Sequence, residues 1–305
     1  MAPDASLPLL AGVELGGTKC ICILGTGPED VRAQVELPTH APAATLAAIE
    51  AVLDDWRAQG WLFSALGLAA FGPLNLRRDS PRFGWVARTV KAGWSDTELL
   101  GRMARRYQIP TGIDTDVNAA ACAEGRWGGA QGLADYVYVT VGTGIGAGLI
   151  VNGRPAGGAN HPELGHIRIA RLPGDHFAGV CPLHGDCLEG LAAGPAIAAR
   201  ARRDPATLRA ADPLWEPIAH ALAQLCHTLV LTTGPRRIFL GGGVMVGQPQ
   251  LLAMIRPRLQ ASLNGYLVTD EMAAGIERFI APSALGRMVG PLGALAVAAA
   301  QLLRT

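Results

Sequence analysis

The chain has 305 residues, 50% hydrophobic and 17% charged, with a formal net charge of +1. This suits a compact protein of one large or two ordinary domains and excludes a disordered chain. Near-neutral charge leaves no footprint for nucleic acid or an acidic partner, no apolar run is long enough to span a bilayer, and the N-terminal stretch lacks the basic region of an export signal, so the expected compartment is the cytoplasm.

Leu9 to Leu24 reads as strand, Gly-Gly turn, strand, and a third strand is expected over Val31 to Leu37. Ala43 to Gln59 has helical spacing of Leu46, Ile49, Leu53 and Trp56, with Pro42 near its start. "ALGLAAFG" is a short buried strand, Asp96 to Tyr107 a helix, "TGID" a strand and Val117 to Trp127 a helix. The pattern then restarts: "DYVYVTVGTGIGAGLIVNG" is strand, Gly-rich turn, strand, and "HIRIA" supplies a third. Helices follow over Pro195 to Arg203 and Pro213 to Thr232. "RIFLGGG" is a strand running into glycines, Pro249 to Ala261 a helix, "IERFIAPS" a last strand and Pro291 to Leu303 a last helix. Two successive units, each opening on a Gly-bent hairpin, describe an internally duplicated α/β protein divided near Asp114 to Asp116.

The turns themselves suggest chemistry. "ELGGTK" (Glu14 to Lys19), "VTVGTGIGAG" (Val139 to Gly148) and "FLGGGVM" place glycines where backbone N–H groups can approach phosphate oxygens. Neither hairpin turn has the spacing of a P-loop or of a dinucleotide fingerprint, and hairpins also use glycine for geometry alone. Lys19 and Lys91 are the only lysines of the chain; Lys19, beside the Gly-Gly turn, reads equally as a phosphate partner or a solvated charge, and Lys91 reads as a solvated charge.

Six cysteines in this length do not form a disulfide framework. Cys20, Cys22, Cys122 and Cys226 fall in strands and helices and read as small buried hydrophobes. By contrast "HIRIARLPGDHFAGVCPLHGDCLEG", from His166 to Gly190, gathers His166, His176, Cys181, His184 and Cys187 in one Pro- and Gly-rich loop. A metal site, a reactive thiol and coincidence are the three readings of that loop.

In order along almost the whole chain, "ELGGTK", "GIDTDVNAAACAEGRWG", "VTVGTGIGAGLIVNG", "HPELGHI", the Cys/His loop, "AAGPAI" and "FLGGGVM" resemble the ROK sugar kinases of the actin-like ATPase superfamily. With Glu at position 14, the nearer resemblance is to the zinc-containing ROK fructokinases. It implies a duplicated actin-like (ribonuclease H-like) fold of two lobes with a cleft between them. Residues 1–115 would form the smaller lobe, with the C-terminal helix of about 290–305 returning to it, and 116–289 the larger lobe with the zinc loop. It implies Asp116 as the base that accepts the sugar hydroxyl proton, against the plainer reading of Asp116 as a helix N-cap; Asp114 reads as a turn residue. Glu163, His166 and Glu189 match the positions that hydrogen-bond the sugar, and Thr115 stands where glucose and mannose kinases of the family carry Asn. Gly16, Gly17, Thr18, Gly142, Thr143 and Gly144 match the phosphate loops. Gly241, Gly242 and Gly243 match the adenosine-side glycines, Pro195 lies near the nucleotide, and Glu14 would position Mg²⁺ through water.

Within that resemblance, His166 with Cys181-x₂-His184-x₂-Cys187 offers two imidazoles and two thiolates, a closed set for structural zinc, and His176 is left as an exposed loop residue. The expected activity is ATP- and Mg²⁺-dependent phosphorylation of fructose, by a homodimer. Mannose, glucose or N-acetylmannosamine are the alternative sugars. A sugar-sensing repressor would need a helix-turn-helix domain before the first strand, and a non-catalytic sugar-binding protein would not need Asp116 and both phosphate loops.

Overall fold

The computed structural model describes residues 7–203 and 207–303. Residues 1–6, 204–206 and 304–305 lie outside that description, and with them part of the stretch read for an export signal and the end of the segment expected to return to the first lobe. In chain order come β1 (Leu10–Leu15), β2 (Lys19–Gly27), β3 (Asp30–Pro38), α1 (Pro42–Ala58), β4 (Ala65–Ala70), α2 (Leu100–Tyr107), β5 (Thr111–Thr115) and α3 (Asp116–Trp127). The pattern then repeats with β6 (Tyr136–Val141), β7 (Ile145–Val151), β8 (Arg154–Pro155), α4 (Leu188–Ala192), α5 (Gly194–Ala201), α6 (Trp215–Thr233), β9 (Arg237–Gly241) and α7 (Gly242–Gly247). Last come α8 (Gln250–Leu263), α9 (Asp270–Ala273), α10 (Ile276–Phe279), β10 (Ile280–Pro282) and α11 (Val289–Leu302).

The chain divides into two compact units. One comprises Met1–Gln131, Pro155–His161 and Met288–Thr305, the other Gly132–Arg154 and Pro162–Arg287. Their five-stranded sheets have orders β3-β2-β1-β4-β5 and β10-β9-β6-β7-β8, the same topology read from opposite edges. In each, a hairpin supplies antiparallel strands (β1 with β2, β6 with β7) and later strands join in parallel (β4 and β5, β9 and β10). This is the duplicated α/β architecture expected from the two Gly-bent hairpins. The first unit runs past residue 115 to Gln131 because α3 packs on α11, where Gly293 sits against the Ala119 backbone.

On one face of the first sheet, Leu46, Ile49, Leu53 and Trp56 of α1 and Met103 of α2 pack over Val13, Leu15, Cys22 and Leu68. Each fully buried aliphatic side chain of this kind contributes about 1.5–3 kcal/mol. The other face carries α11, whose Ala294 and Val297 meet Ala69 and Ala119. It approaches so closely that central strands β1 and β4 need glycine beneath it: a Cβ on Gly12 would stand 2.8 Å from the Ala294 Cβ, and one on Gly67 2.5 Å from the Ala298 nitrogen. In the second unit Ile218, Leu222, Leu225 and Leu229 of α6 and Leu251, Ile255 and Leu259 of α8 are buried.

Three segments differ from the sequence-based expectation. Helix α2 begins at Leu100, because Asp96 is a left-handed turn residue whose amide bonds to the Val86 carbonyl, the Val86 amide bonds to the Thr97 carbonyl, and Glu98 forms a bridge with Trp85. "HIRIA" is not a strand: Leu164–His166 is a 3-10 turn, and the Ile167 and Ala170 carbonyls accept from the Leu188 amide and the His220 ring. "IERF" is the single turn α10, leaving only Ile280–Pro282 as strand. Among the described residues, no helix is long and apolar enough to cross a membrane. Gly67→Ala is expected to destabilise the chain by ~1–3 kcal/mol through forced displacement of α11, whereas Gly60→Ala, with no atom within 4 Å, answers only for its left-handed backbone at ~1 kcal/mol. Urea melts of both variants check this ranking.

Candidate active site

The β1–β2 turn holds the first glycine pair. The Gly16 amide bonds to the Lys19 carbonyl at 3.0 Å, and Thr39 secures the turn by donating its hydroxyl to Gly16 O (2.9 Å) and its amide to Thr18 O (2.9 Å). Lys19, expected at the phosphates, instead places its ammonium 2.6 Å from Glu36 on the neighbouring strand. The ammonium of Lys91 donates to the Gly17 carbonyl.

At the end of β5 the residues "DTDVN" divide their work. Thr115, buried, is the N-cap of α3: its hydroxyl oxygen accepts the Asn118 amide at 3.2 Å. The cap is therefore Thr115 and not Asp116, which stands half-buried in the first helical turn with Oδ1 accepting the Val117 amide at 2.9 Å. Asp114 is no neutral turn residue: one oxygen accepts both the Thr115 amide and the Asn118 side-chain amide, each at 2.8 Å, and braces the strand-to-helix junction. Beside this junction lies a cavity of about 300 Å³ whose lining includes Arg78, Asp114, Asn118, Gly157 and Asn160.

In the second unit His166, Cys181, His184 and Cys187 converge, with one donor atom from each within 4.8 Å of all the others. Cys181 Sγ lies 3.8 Å from Nδ1 of both His166 and His184, and Cys187 Sγ 3.6 Å from His166 Nδ1. Zinc–sulfur bonds near ~2.3 Å and zinc–nitrogen bonds near ~2.0–2.1 Å give tetrahedral edges of ~3.4–3.8 Å, so the donor set fits the ion in chemistry and spacing. Exposed His176 is outside the set. Burial pushes the thiols of Cys20, Cys122 and Cys226 up to about 11, 12 and 12, as befits inert packing residues.

Two residues beyond Cys187, in the first turn of α4, the Glu189 carboxylate accepts the Ile145 amide at 3.0 Å. Ile145 opens β7, so this bond joins the metal loop to the Gly142–Thr143–Gly144 turn. A Cβ on Gly144 would stand 2.6 Å from the same Glu189 oxygen, and one on Gly165 would collide with the Ile145 carbonyl. Gly165 belongs to the turn that carries Glu163 and His166, whose amide bonds to the Glu163 carbonyl at 3.0 Å. Glu163, His166 and Glu189 are thereby gathered at one end of β7. On the other side of the turn the Gly142 carbonyl accepts the Gly194 amide at 2.8 Å, next to Pro195 at the start of α5, and Gly142 approaches the Gly243 nitrogen. Gly142 thus lies between the start of α5 and the Gly241–Gly243 run, in which Gly242 has φ +86°.

A match to the model of the ROK family runs over residues 10–301. The chain belongs to the ROK family. It is 39% identical to the fructokinase of Pediococcus pentosaceus over 96% of this chain and 99% of that protein. To the fructokinase of Zymomonas mobilis it is 38% identical over 94% and 95%. The crystal structure of the ROK hexokinase from Thermus thermophilus superposes with a TM-score of 0.77, at 28% identity, covering 97% of this chain and all (100%) of that one. The duplicated sheets are thus the actin-like ATPase fold in its ROK form.

Some residues that shape this ROK site gave no local signal. Arg200 of α5 clasps Asp175, in the middle of the metal loop, through two bonds of 2.9 and 2.8 Å, donates to the Leu191 carbonyl at the end of α4 (3.1 Å) and stacks on Phe177 at 4.2 Å. Its hydrogen bonds hold the Asp175 carboxyl below the usual range. Partners 25 positions apart share no motif.

Glu14 is a carboxylate of the first unit that is pushed up, where Asp30, Asp54, Asp79 and Glu98 are held down by arginines. Burial first, then the Asp116 charge and more weakly Glu36, push it up to about 7 against the opposing pull of Lys19. Between its ordinary range and about 7 the folded chain keeps a proton that the unfolded chain has lost. This group therefore makes stability fall as pH rises through that window, and the effect levels off above it. Glu14→Gln, which keeps the neutral shape, is expected to match the parent at pH 5 and to exceed it by ~1–3 kcal/mol at pH 8 without divalent ions. Urea melts at the two pH values check this; a pH-independent difference contradicts it.

Proposed function

We propose that this ROK protein transfers the γ-phosphoryl group of ATP to fructose, releasing fructose 6-phosphate and ADP. The observation that carries the reading is Asp116, a carboxylate in the first turn of α3 that the helix does not need as its cap, in a chain that matches fructokinases nearly end to end. In this reading Asp116 accepts the proton of the attacking sugar hydroxyl as that oxygen bonds to phosphorus and ADP leaves. Glu163 and Glu189 accept from sugar hydroxyls. His166, with Nδ1 turned toward the thiolates, keeps Nε2–H as a donor.

Mg²⁺ that arrives with ATP offsets phosphate charge, and Glu14 is the residue proposed to hold it through water. Gly16, Gly17 and Thr18, with Gly142 to Gly144, Pro195 and Gly241 to Gly243, are the proposed nucleotide contacts. Zinc on His166, Cys181, His184 and Cys187 leaves no open position among four protein ligands, so it serves structure. The resemblance extends the proposal to a cytoplasmic homodimer.

Fructose is favoured over other hexoses by the fructokinase relatives and by Thr115. Where an Asn amide offers two N–H donors and a carbonyl acceptor, Thr115 offers a single hydroxyl, one of whose acceptor positions is already engaged by the Asn118 amide. Loss of one such matched bond discriminates between sugars by ~1–3 kcal/mol. In a coupled ADP-release assay kcat/KM is expected to be highest for fructose, with mannose next and glucose and N-acetylmannosamine lower. Asp116→Asn should cut kcat by ~10²–10⁴-fold with substrate binding little changed. Glucose or N-acetylmannosamine ahead of fructose by about tenfold contradicts the sugar assignment; turnover of Asp116→Asn near that of the parent contradicts the base.

A further inference from the structure

The chain contains only two lysines: Lys19 follows the β1–β2 turn, and Lys91 reaches it from elsewhere in the chain. Lys19 spends its charge in an exposed pair with Glu36, the side chains being 57% and 56% accessible. Lys91 comes from 74 positions further along and places its ammonium on the Gly17 carbonyl. Its loop is firmly held. Trp94 is fully buried, donates its indole N–H to the His40 carbonyl at 2.9 Å, and meets the Phe71 ring edge-on at 5.2 Å. The Trp94 amide bonds to the Lys91 carbonyl at 3.2 Å, and the Lys91 amide to the Thr89 hydroxyl at 3.3 Å.

The surroundings of the Lys91 ammonium do not neutralise it. One donor meets a backbone carbonyl, the Phe71 ring centroid lies 5.9 Å away, and among the described residues Lys91 forms no ion pair. An ammonium has three donors and a full charge, whereas a carbonyl offers a partial one. The Gly16 and Thr18 carbonyls are taken by Thr39, the Gly17 carbonyl by Lys91 itself and the Gly16 amide by the Lys19 carbonyl, so the groups this turn has to offer an anion are the Gly17 and Thr18 amides and the Thr18 hydroxyl. A lysine and amides around a glycine turn make an anion site, and lysine serves phosphate as a point charge.

We infer that Lys91 is a catalytic residue of the first unit, a cation that moves from the Gly17 carbonyl to the terminal phosphate of ATP and stabilises the charge on the phosphoryl group in transfer. The inference rests on the kinase reading above. Lys19, which the sequence offers for this part, is then a surface pair of little energetic weight.

The test compares Lys91→Met, Lys91→Arg and Lys19→Met with the parent, each checked for folding by circular dichroism. Isothermal titration with a non-hydrolysable ATP analogue and with ADP separates the terminal phosphate from the rest of the nucleotide. Lys91→Met is expected to weaken analogue binding by about tenfold or more and leave ADP binding within about twofold. It should lower kcat by about 10²–10³-fold, with Lys91→Arg partly restored and Lys19→Met within a few-fold of the parent. Equal weakening of analogue and ADP means that Lys91 only holds the turn, and this overturns the inference. So does an effect carried by Lys19→Met, or none in either Lys91 variant. A parent chain that binds neither nucleotide overturns the kinase reading and this inference with it, whereas a parent that phosphorylates sugar with Lys91→Met unaffected overturns this inference alone.

Discussion

One hydrogen bond, from the Ile145 amide to the Glu189 carboxylate at 3.0 Å, ties the second unit together. A charge-assisted bond of this kind contributes about 1.5–3 kcal/mol, and here it joins three pieces of chain. Glu189 follows Cys187 by two residues, Ile145 opens β7, and Gly165 presses the Glu163–His166 turn against the Ile145 carbonyl. Glycine at 144 is a consequence, since any side chain there would meet the Glu189 oxygen at 2.6 Å. The cluster of His166, Cys181, His184 and Cys187 and the glycine turn are therefore parts of one construction. In the proposed reading, an ion held by His166 and Cys187 would also fix the carboxylate that shapes the turn, leaving little entropy to lose on substrate binding.

The first unit repeats the topology with different means. Its hairpin turn is held by Thr39 and Lys91 where the second uses Glu189, and no metal loop is inserted. Its carboxylate, Glu14, lies against the first turn of α11, where a Cβ on Gly290 would meet it within 2.7 Å of Oε2. The same α11 needs Gly12 and Gly67 on the strands beneath it, so the position of Glu14 and the packing of the sheet depend on one helix. Burial there, together with Asp116, explains why Glu14 is hard to ionise.

Much of this was legible in the sequence, because period-2 apolar runs broken by glycine pairs occur twice in the same order and the Cys/His spacing is specific. What was not legible has physical reasons. "HIRIA" alternates as a strand would, yet its Ile167 carbonyl is claimed by the Leu188 amide of the metal loop, a contact that alternation does not encode. Helices α4 and α7 are too short and glycine-rich to show a period. The cap of α3 was displaced by one residue because Asp116 and Thr115 are both good caps and only the geometry separates them. Lys91 and Arg200 act across 74 and 25 positions, where a single sequence carries no signal.

Glu189 holds the glycine turn, and in the proposed reading the metal held by His166, Cys181, His184 and Cys187 holds Glu189 in place. Amide hydrogen exchange at Ile145, in zinc-loaded protein and after chelation, tests it most directly. Ile145 is expected to lose protection by about 10–100-fold when the metal is removed, the equivalent of one charge-assisted bond, while Val139 in the middle of β6 keeps its own. Unchanged protection at Ile145 after elemental analysis shows the metal gone would contradict it.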